Sequence, residues 1–469
     1  MQTRLRTALV AILGLALVVA PGFAQVDTGS ADFSKYVALG DSLTAGFSNG
    51  GLATDQQLDS YPRLIHDAAT GSDTGFEQPL VSEPGLPAQL ALRGLFPTVL
   101  TPRSGMGTPL NLNLPRPYDN LGVPGSRIHD TLATVTGGLH DLVLRGLGTA
   151  LQEALVQKPT FVSLWIGNND VLAAATSGIV IDGVTLTTPA AFEADLRSIV
   201  GAISASGAHL AIANLPNVTA IPFVNTIPPV LVDPKTNQPV LVGGAPVPLI
   251  GPSGPLGPND HVLLTASAEL ARGNGIPVQL GGTGIPLSDS VVLSAAETAK
   301  VQARVTALNS IIAQVAQDQG AALVDINSIF DDLVHHGRVV GGIEFTTSFL
   351  TGGIFGYDGV HPTRLGYGLV ANEFIDAINQ TFGAHIPQVD LYPLAFMPPR
   401  GVPQASGVEV STAGSGNQWT SFIYTKKAWH NLELAVGLDR MDLNAPTAPG
   451  QTPNGPDPGM LPRKSPTLY

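Results

Sequence analysis

Four short apolar runs, at residues 36–39, 161–166, 209–213 and 322–326, constrain this chain most, because runs of that length are what strands buried on both faces require. Between them lie segments with helical period. Ser294-Ala295-Ala296-Glu297 fits a capping box, and Val301, Val305, Leu308, Ile312 and Val315 then recur at steps of four and three. Another helix is expected after Thr188-Pro189, with Phe192, Leu196, Ile199 and Ile203 on one face. A third should follow residue 363, carrying Leu365, Leu369 and Phe374. Strands alternating with helices predict one α/β domain over about residues 32–383.

The first run leads straight into Gly40-Asp41-Ser42-Leu43, which places a serine where a buried strand ends and the chain turns. A serine hydroxyl is a weak nucleophile at neutral pH, so Ser42 matters only if a base, a group to orient that base and oxyanion donors are also present. Gly356-Tyr357-Asp358-Gly359-Val360-His361-Pro362-Thr363 offers the first two. On one short loop His361 would take the Ser42 proton through one ring nitrogen, while Asp358 holds the other N–H and stabilises the imidazolium. In the α/β-hydrolase pattern Asp and His come from separate loops and the nucleophile sits in G-x-S-x-G, and neither feature occurs here.

Oxyanion donors have two further candidate sources. The run at 161–166 enters Gly167-Asn168-Asn169-Asp170, where the Asn169 amide would point from the strand's carboxyl end. Residues 119–126, Asp-Asn-Leu-Gly-Val-Pro-Gly-Ser, read as a glycine-punctuated turn in which Gly125 can offer its N–H with no Cβ in the way. The Ser42 backbone N–H would be a third donor.

With these four blocks in this order, the chain resembles the GDSL, or SGNH, hydrolase superfamily. The resemblance implies that Ser42 is the nucleophile, that Gly125 and Asn169 complete an oxyanion hole with the Ser42 amide, and that Asp358 and His361 finish the triad. It also implies a flavodoxin-like three-layer α/β/α sandwich with a mostly parallel sheet and hydrolysis of carboxylic esters. The chemistry expected of these residues proceeds through an acyl-enzyme and needs no metal or cofactor. Two long loop insertions, about 71–117 and 216–286, depart from the minimal family pattern. Both are taken to leave strands near their carboxyl ends, the rim where α/β sheets bind ligands. Their apolar residues, such as Leu90, Leu92 and Leu100, then suggest an acyl pocket suited to medium or long chains. In the second, Val230-Leu231-Val232 and Val240-Leu241-Val242 flank a turn and fit a hairpin. Within the superfamily the alternatives are a carbohydrate acetylesterase or an acyltransferase. A surface binding protein with an unused triad is the reading from a different class.

Residues 1–24 carry Arg4 and Arg6, then an apolar stretch over 8–20, then Pro21-Gly22-Phe23-Ala24, the pattern of a secretory signal peptide. No cysteine is present, so export without disulfides suits a bacterial periplasmic or secreted protein whose large core suffices for stability. The formal charge of −13 disfavours nucleic acid as a partner. The expected partner is a small-molecule or lipid ester, with transient contact with lipid surfaces, and the chain is expected to be a monomer. Residues 384–469 form a C-terminal extension, Pro-rich and aperiodic after 445; residues 419–436 within it should form a strand pair or a strand and a helix. Of ten histidines only His361 has a carboxylate placed to orient it. His129 reads as a helix-surface residue, adjacent His335 and His336 would diverge on a helix, Asp41 as a turn cap, Asp325 as a strand-end carboxylate, Asp170 as a brace for the Asn169 loop, and Trp165 as core.

Overall fold

The computed structural model describes residues 26–95, 98–233, 236, 238–400, 422–441 and 443. The expected leader at 1–24, residues 419–421 and the Pro-rich stretch from 445 lie outside these residues. The apolar runs become strands β1 (Tyr36–Gly40), β3 (Phe161–Trp165), β4 (His209–Ala213) and β5 (Ala322–Val324), joined by β2 (Asn120–Gly122). Their order across the sheet is β5-β4-β3-β1-β2, and every pair is parallel. That is the flavodoxin-like order, whose crossovers reverse direction between β1 and β3. In register Tyr36 faces Phe161 and Gly40 faces Trp165, so these two strands end side by side.

The strand β2 corrects the reading of residues 119–126 as a turn throughout. Three of them pair along β1 before the turn begins. Bounded by Asn120 and Gly122, so short an edge strand carries no apolar run to betray it.

The framing helices are α1 (Ser42–Ala45), α2 (Tyr61–Thr70), α3 (Asn169–Ser177), α4 (Pro189–Ala205), α5 (Ala295–Gln319), α6 (Arg364–Phe382) and α7 (Lys426–Ala435). Successive strand side chains go to opposite faces. Val37, Leu39, Val162, Leu164, Leu210 and Ile212 form one core with Phe192, Leu196 and Ile199 of α4 and Val301, Val305 and Leu308 of α5. On the other face Ala38, Ala211 and Ala213 leave room for Tyr61 of α2 and Tyr367 and Phe374 of α6, and Tyr61 stacks on Phe374 at 4.8 Å. Each buried Phe or Ile there contributes roughly 1.5–3 kcal/mol relative to exposure. Three layers result, as the family resemblance implies. The helix starts are also those expected: Ser294 and Glu297 close a capping box on α5, Thr188 caps α4, and Thr363 caps α6.

The insertions follow different courses. The second leaves the carboxyl end of β4, as expected, but its hairpin is short: Val232 bridges Pro239, and Leu241–Val242 turns to pair with Ala245–Pro246. The first leaves helix α2, not a strand end, and returns to the loop after α1, where Leu86 bridges Leu52 and the Leu90 N–H donates to the Asn49 carbonyl at 2.6 Å. Its Leu90 and Leu100 are buried in the main core. Two of its strands, Leu90–Leu95 and Thr98–Pro102, pair antiparallel, and the C-terminal strand Phe422–Tyr424 joins them in parallel. Residues 422–435 of the extension thus form a strand and a helix, and a further short helix, Leu391–Phe396, precedes them. Among the described residues no helix is long and apolar enough to cross a membrane.

Candidate active site

Side by side at the switch point, the ends of β1 and β3 bring two of the four sequence blocks together, and β2, paired along β1, brings the third. After β1 the chain must turn within two residues, and a Cβ on Gly40 would overlap the Thr44 side chain and the Trp165 carbonyl, so glycine is required on steric grounds. Asp41 then caps α1 by accepting from the Leu43 N–H at 2.9 Å, and Ser42 becomes the first residue of that helix.

The Ser42 hydroxyl lies 2.9 Å from His361 Nε2, and His361 Nδ1 donates to Asp358 Oδ2 at 3.1 Å. All three side chains are buried. Asp358 also accepts from three backbone N–H groups: Val360 at 2.9 Å, His361 at 2.8 Å and Gly50 at 2.7 Å. Burial alone would raise the Asp358 pKa, but the His361 charge, the ring hydrogen bond and the Val360 and His361 amides outweigh it and hold the carboxyl below its ordinary value. The Phe47 ring packs against His361 at 4.8 Å and fixes its other side. Ordered in this way, the loop has the arrangement of a nucleophile, a base and an orienting carboxylate.

Gly125 follows β2 and Asn169 opens α3. Neither the Ser42 N–H nor the Gly125 N–H has a hydrogen-bond partner among the described residues. Asn169 Nδ2 spends one N–H on the Ser126 carbonyl at 2.9 Å and keeps the second, since an amide nitrogen carries two. Its Oδ1 is buried with no partner among the described residues, as is Asn168 Oδ1.

Three supporting residues were not singled out from the sequence. Gly50 holds Asp358 from 308 positions away, Asn49 Oδ1 accepts from the Tyr357 N–H at 2.8 Å, and Asn168 Nδ2 donates to Asp41 Oδ2 at 2.9 Å. The Asn49-Gly50 dipeptide signals a turn, but nothing local connects that turn to a carboxylate near the other end of the chain. Asp170 braces more than its own loop, accepting from the Ile128 N–H at 3.0 Å and the Thr187 hydroxyl at 2.6 Å. His129 is exposed and pairs with Asp195, Asp325 caps the helix Ile326–His336, and Trp165 is core with its indole N–H on the Asn214 carbonyl. His335 and His336 bond back to Asp331 and Asp332 on their own helix. A separate cavity of about 410 Å³ shares the short helix Pro222–Asn225 with this region but is lined by none of the candidate residues.

Burial pushes the Asp41 carboxyl up to about 6, against the hydrogen bonds from Asn168 and Leu43. Because the folded form holds this proton more tightly than the unfolded chain, the stabilisation is full below about pH 4 and is lost as pH rises to about 6. Asp41→Asn removes that loss, and Asn168 can turn its unpartnered Oδ1 toward the new amide. Its melting temperature relative to the wild type is therefore expected to rise between pH 4 and 7; a pH-independent difference in thermal melts would count against the buried acid.

The sequence pattern of the GDSL-like Lipase/Acylhydrolase family matches residues 36–374, nearly three quarters of the chain. The chain belongs to this family. Membership makes it a carboxylic ester hydrolase. No curated protein matches it. Similar solved structures include an alpha/beta hydrolase enzyme from the metagenome of Lake Arreo, Spain, at 16% identity, covering 74% of this chain and 96% of that one with a TM-score of 0.35. A catalytic mutant of Axe2, an acetylxylan esterase from Geobacillus stearothermophilus, is 13% identical over 74% and 95% of the two chains, with a TM-score of 0.35. The lipase/acylhydrolase from Enterococcus faecalis is 14% identical over 57% and 77%, with a TM-score of 0.26. Likenesses this loose add nothing to the site assignment, which rests on the residues themselves.

Proposed function

We propose that this GDSL hydrolase is an exported serine esterase or lipase that cleaves medium- or long-chain acyl esters through an acyl-enzyme. The observation that carries the reading is the Ser42, His361, Asp358 line together with the backbone N–H groups of Ser42 and Gly125, which have no hydrogen-bond partner among the described residues. Ser42 Oγ attacks the ester carbonyl as His361 Nε2 takes its proton, and Asp358 stabilises the imidazolium. The oxyanion is held by the N–H groups of Ser42 and Gly125 and by the second Asn169 N–H. His361 then returns the proton to the departing alcohol, and water, activated by the same base, releases the acid.

The apolar surroundings support an acyl substrate: Phe47 lies against His361, and the Leu264 side chain of the second insertion packs on Gly359 of the catalytic loop. Export rests on the leader pattern at 1–24. A second reading, removal of short acyl groups such as acetyl, draws on the enclosure of Ser42, which is only 2% exposed. Hydrolysis of p-nitrophenyl esters from acetate to palmitate, with Ser42→Ala beside it, separates the two. The expected result is a Ser42-dependent optimum at medium or long chains; a steady fall from acetate onward would transfer the assignment to short-acyl removal. No Ser42-dependent rate on any ester by a folded protein would favour a binding role.

A further inference from the structure

Residues 425–441 of the C-terminal extension lie beside the candidate site. Thr425 caps α7, and Ala428, Leu432, Val436 and Leu438 are buried in the main core. Trp429 stacks on Phe223 at 5.8 Å, and the Phe223 N–H donates to the Gly359 carbonyl beside Asp358. Asn431 Nδ2 donates to the Ala88 carbonyl of the first insertion at 2.9 Å. Past α7 the chain reaches Gly125. A Cβ on Gly125 would come within 2.7 Å of the Leu434 carbonyl oxygen and 3.0 Å of the Gly437 nitrogen, and a Cβ on Gly437 would overlap the Gly125 carbonyl. Both glycines are left-handed, with φ of +78° and +72°, so two backbones touch with no side chain between them.

Arg440 completes this seat. Its Nη2 donates to the Gly125 carbonyl, and the same guanidinium spans Asp130, with Nη1 at 3.2 Å from Oδ1 and Nη2 at 3.3 Å from Oδ2. Asp130 Oδ2 in turn accepts from the Arg127 N–H at 2.9 Å. Two successive carbonyls of the turn are therefore clamped, Gly125 by Arg440 and Ser126 by Asn169, while the Gly125 N–H is left without a partner among the described residues. An oxyanion donor acts only when its N–H is held where the charge develops.

We propose that the C-terminal segment is a fixed wall of the active site, and that Arg440, seated beside Gly437, is a positioning residue that holds the Gly125 N–H toward the oxyanion. This rests on the serine-esterase reading above. A hinged lid is the contrary arrangement, and it would have to expose Leu432, Val436 and Leu438 each time it opened, at the cost of their burial.

The test is steady-state hydrolysis of a p-nitrophenyl ester by the full chain carrying Arg440→Ala, Arg440→Lys, Asn169→Ala or both alanine changes, with Ser42→Ala as the blank. Arg440→Ala is expected to lower kcat by about 10²-fold, the scale for a displaced reacting group, with KM within a few-fold. Lysine keeps the charge but cannot bridge Gly125 and Asp130 together, so it should restore only part of the rate. The double alanine variant should lose less than the product of the single losses, because both residues act through one turn. An unchanged kcat, a faster one as for an opened lid, a loss confined to KM, or independent multiplication of the losses would each overturn the proposal. If Arg440→Ala melts below the assay temperature, Arg440→Lys and Arg440→Gln, which fill the same space, are read by the same split. Full activity in Ser42→Ala brings down the serine-esterase reading and this proposal together, whereas a Ser42-dependent rate untouched by Arg440→Ala brings down this proposal alone.

Discussion

Ser42→Ala is expected to lower kcat on any ester the protein turns over by at least about 10⁴-fold, and His361→Ala by a similar factor. In the proposed mechanism the two groups share one proton transfer along the 2.9 Å contact between Ser42 Oγ and His361 Nε2, so removing the second after the first should cost almost nothing more. A serine-directed fluorophosphonate should label the wild type and spare both variants. Equal labelling of Ser42→Ala would mean that another serine is the nucleophile. Multiplying losses in the double variant would mean that Ser42 and His361 work on different steps, and the acyl-enzyme scheme would fail.

Asp358→Asn should be damaging in two separate ways. The carboxylate accepts from the imidazole and from the N–H groups of Gly50, Val360 and His361, and an amide presents its own donors to some of that array. Loss of the imidazole's orientation and charge partner is expected to reduce kcat by about 10⁴-fold, while each buried donor left without an acceptor destabilises the fold by roughly 1–3 kcal/mol. Rate assays and thermal melts on the same preparation separate the two. The pH dependence has a definite sign. Because the folded Asp358 pKa is lowered, its stabilisation is fully present above the ordinary value of 3.8 and is lost as pH falls through the lower folded value. The stability gap between wild type and variant should therefore hold from neutral pH to about pH 4 and close only below it. Asp41 runs the other way, its contribution fading as pH rises from 3.8 to about 6. A gap that closed by pH 5 would show that Asp358 is not ionised as described.

The aspartate and histidine could be paired from the sequence because three residues of spacing already put them on one loop, and the Ser42 Oγ contact then needed only the parallel sheet to carry β1 and α6 to the same edge. The expected helix starts held because capping is local: Ser294 and Glu297 are three positions apart, and Thr188 and Thr363 each sit one residue before the helix they cap. Asn169 was harder. Its position after β3 was legible, but its bond to the Ser126 carbonyl depends on a turn 43 positions away. The first insertion was misplaced because apolar residues among prolines do not reveal which element a loop leaves, and Leu90 and Leu100 serve the core as readily as a pocket.

By itself the sequence determined the parallel α/β architecture, the serine at the end of the first strand and the Asp358 to His361 loop, because apolar period, capping and short loops act within a few residues. Only the tertiary structure decided that Gly50 holds Asp358, that Asn168 meets Asp41, and that Arg440 and Gly437 seat against Gly125. Those contacts join ordinary turn and helix-end residues separated by more than a hundred positions. Their local pattern is that of any loop, and they acquire a role only when the sheet's order and the returning C-terminal segment bring them together.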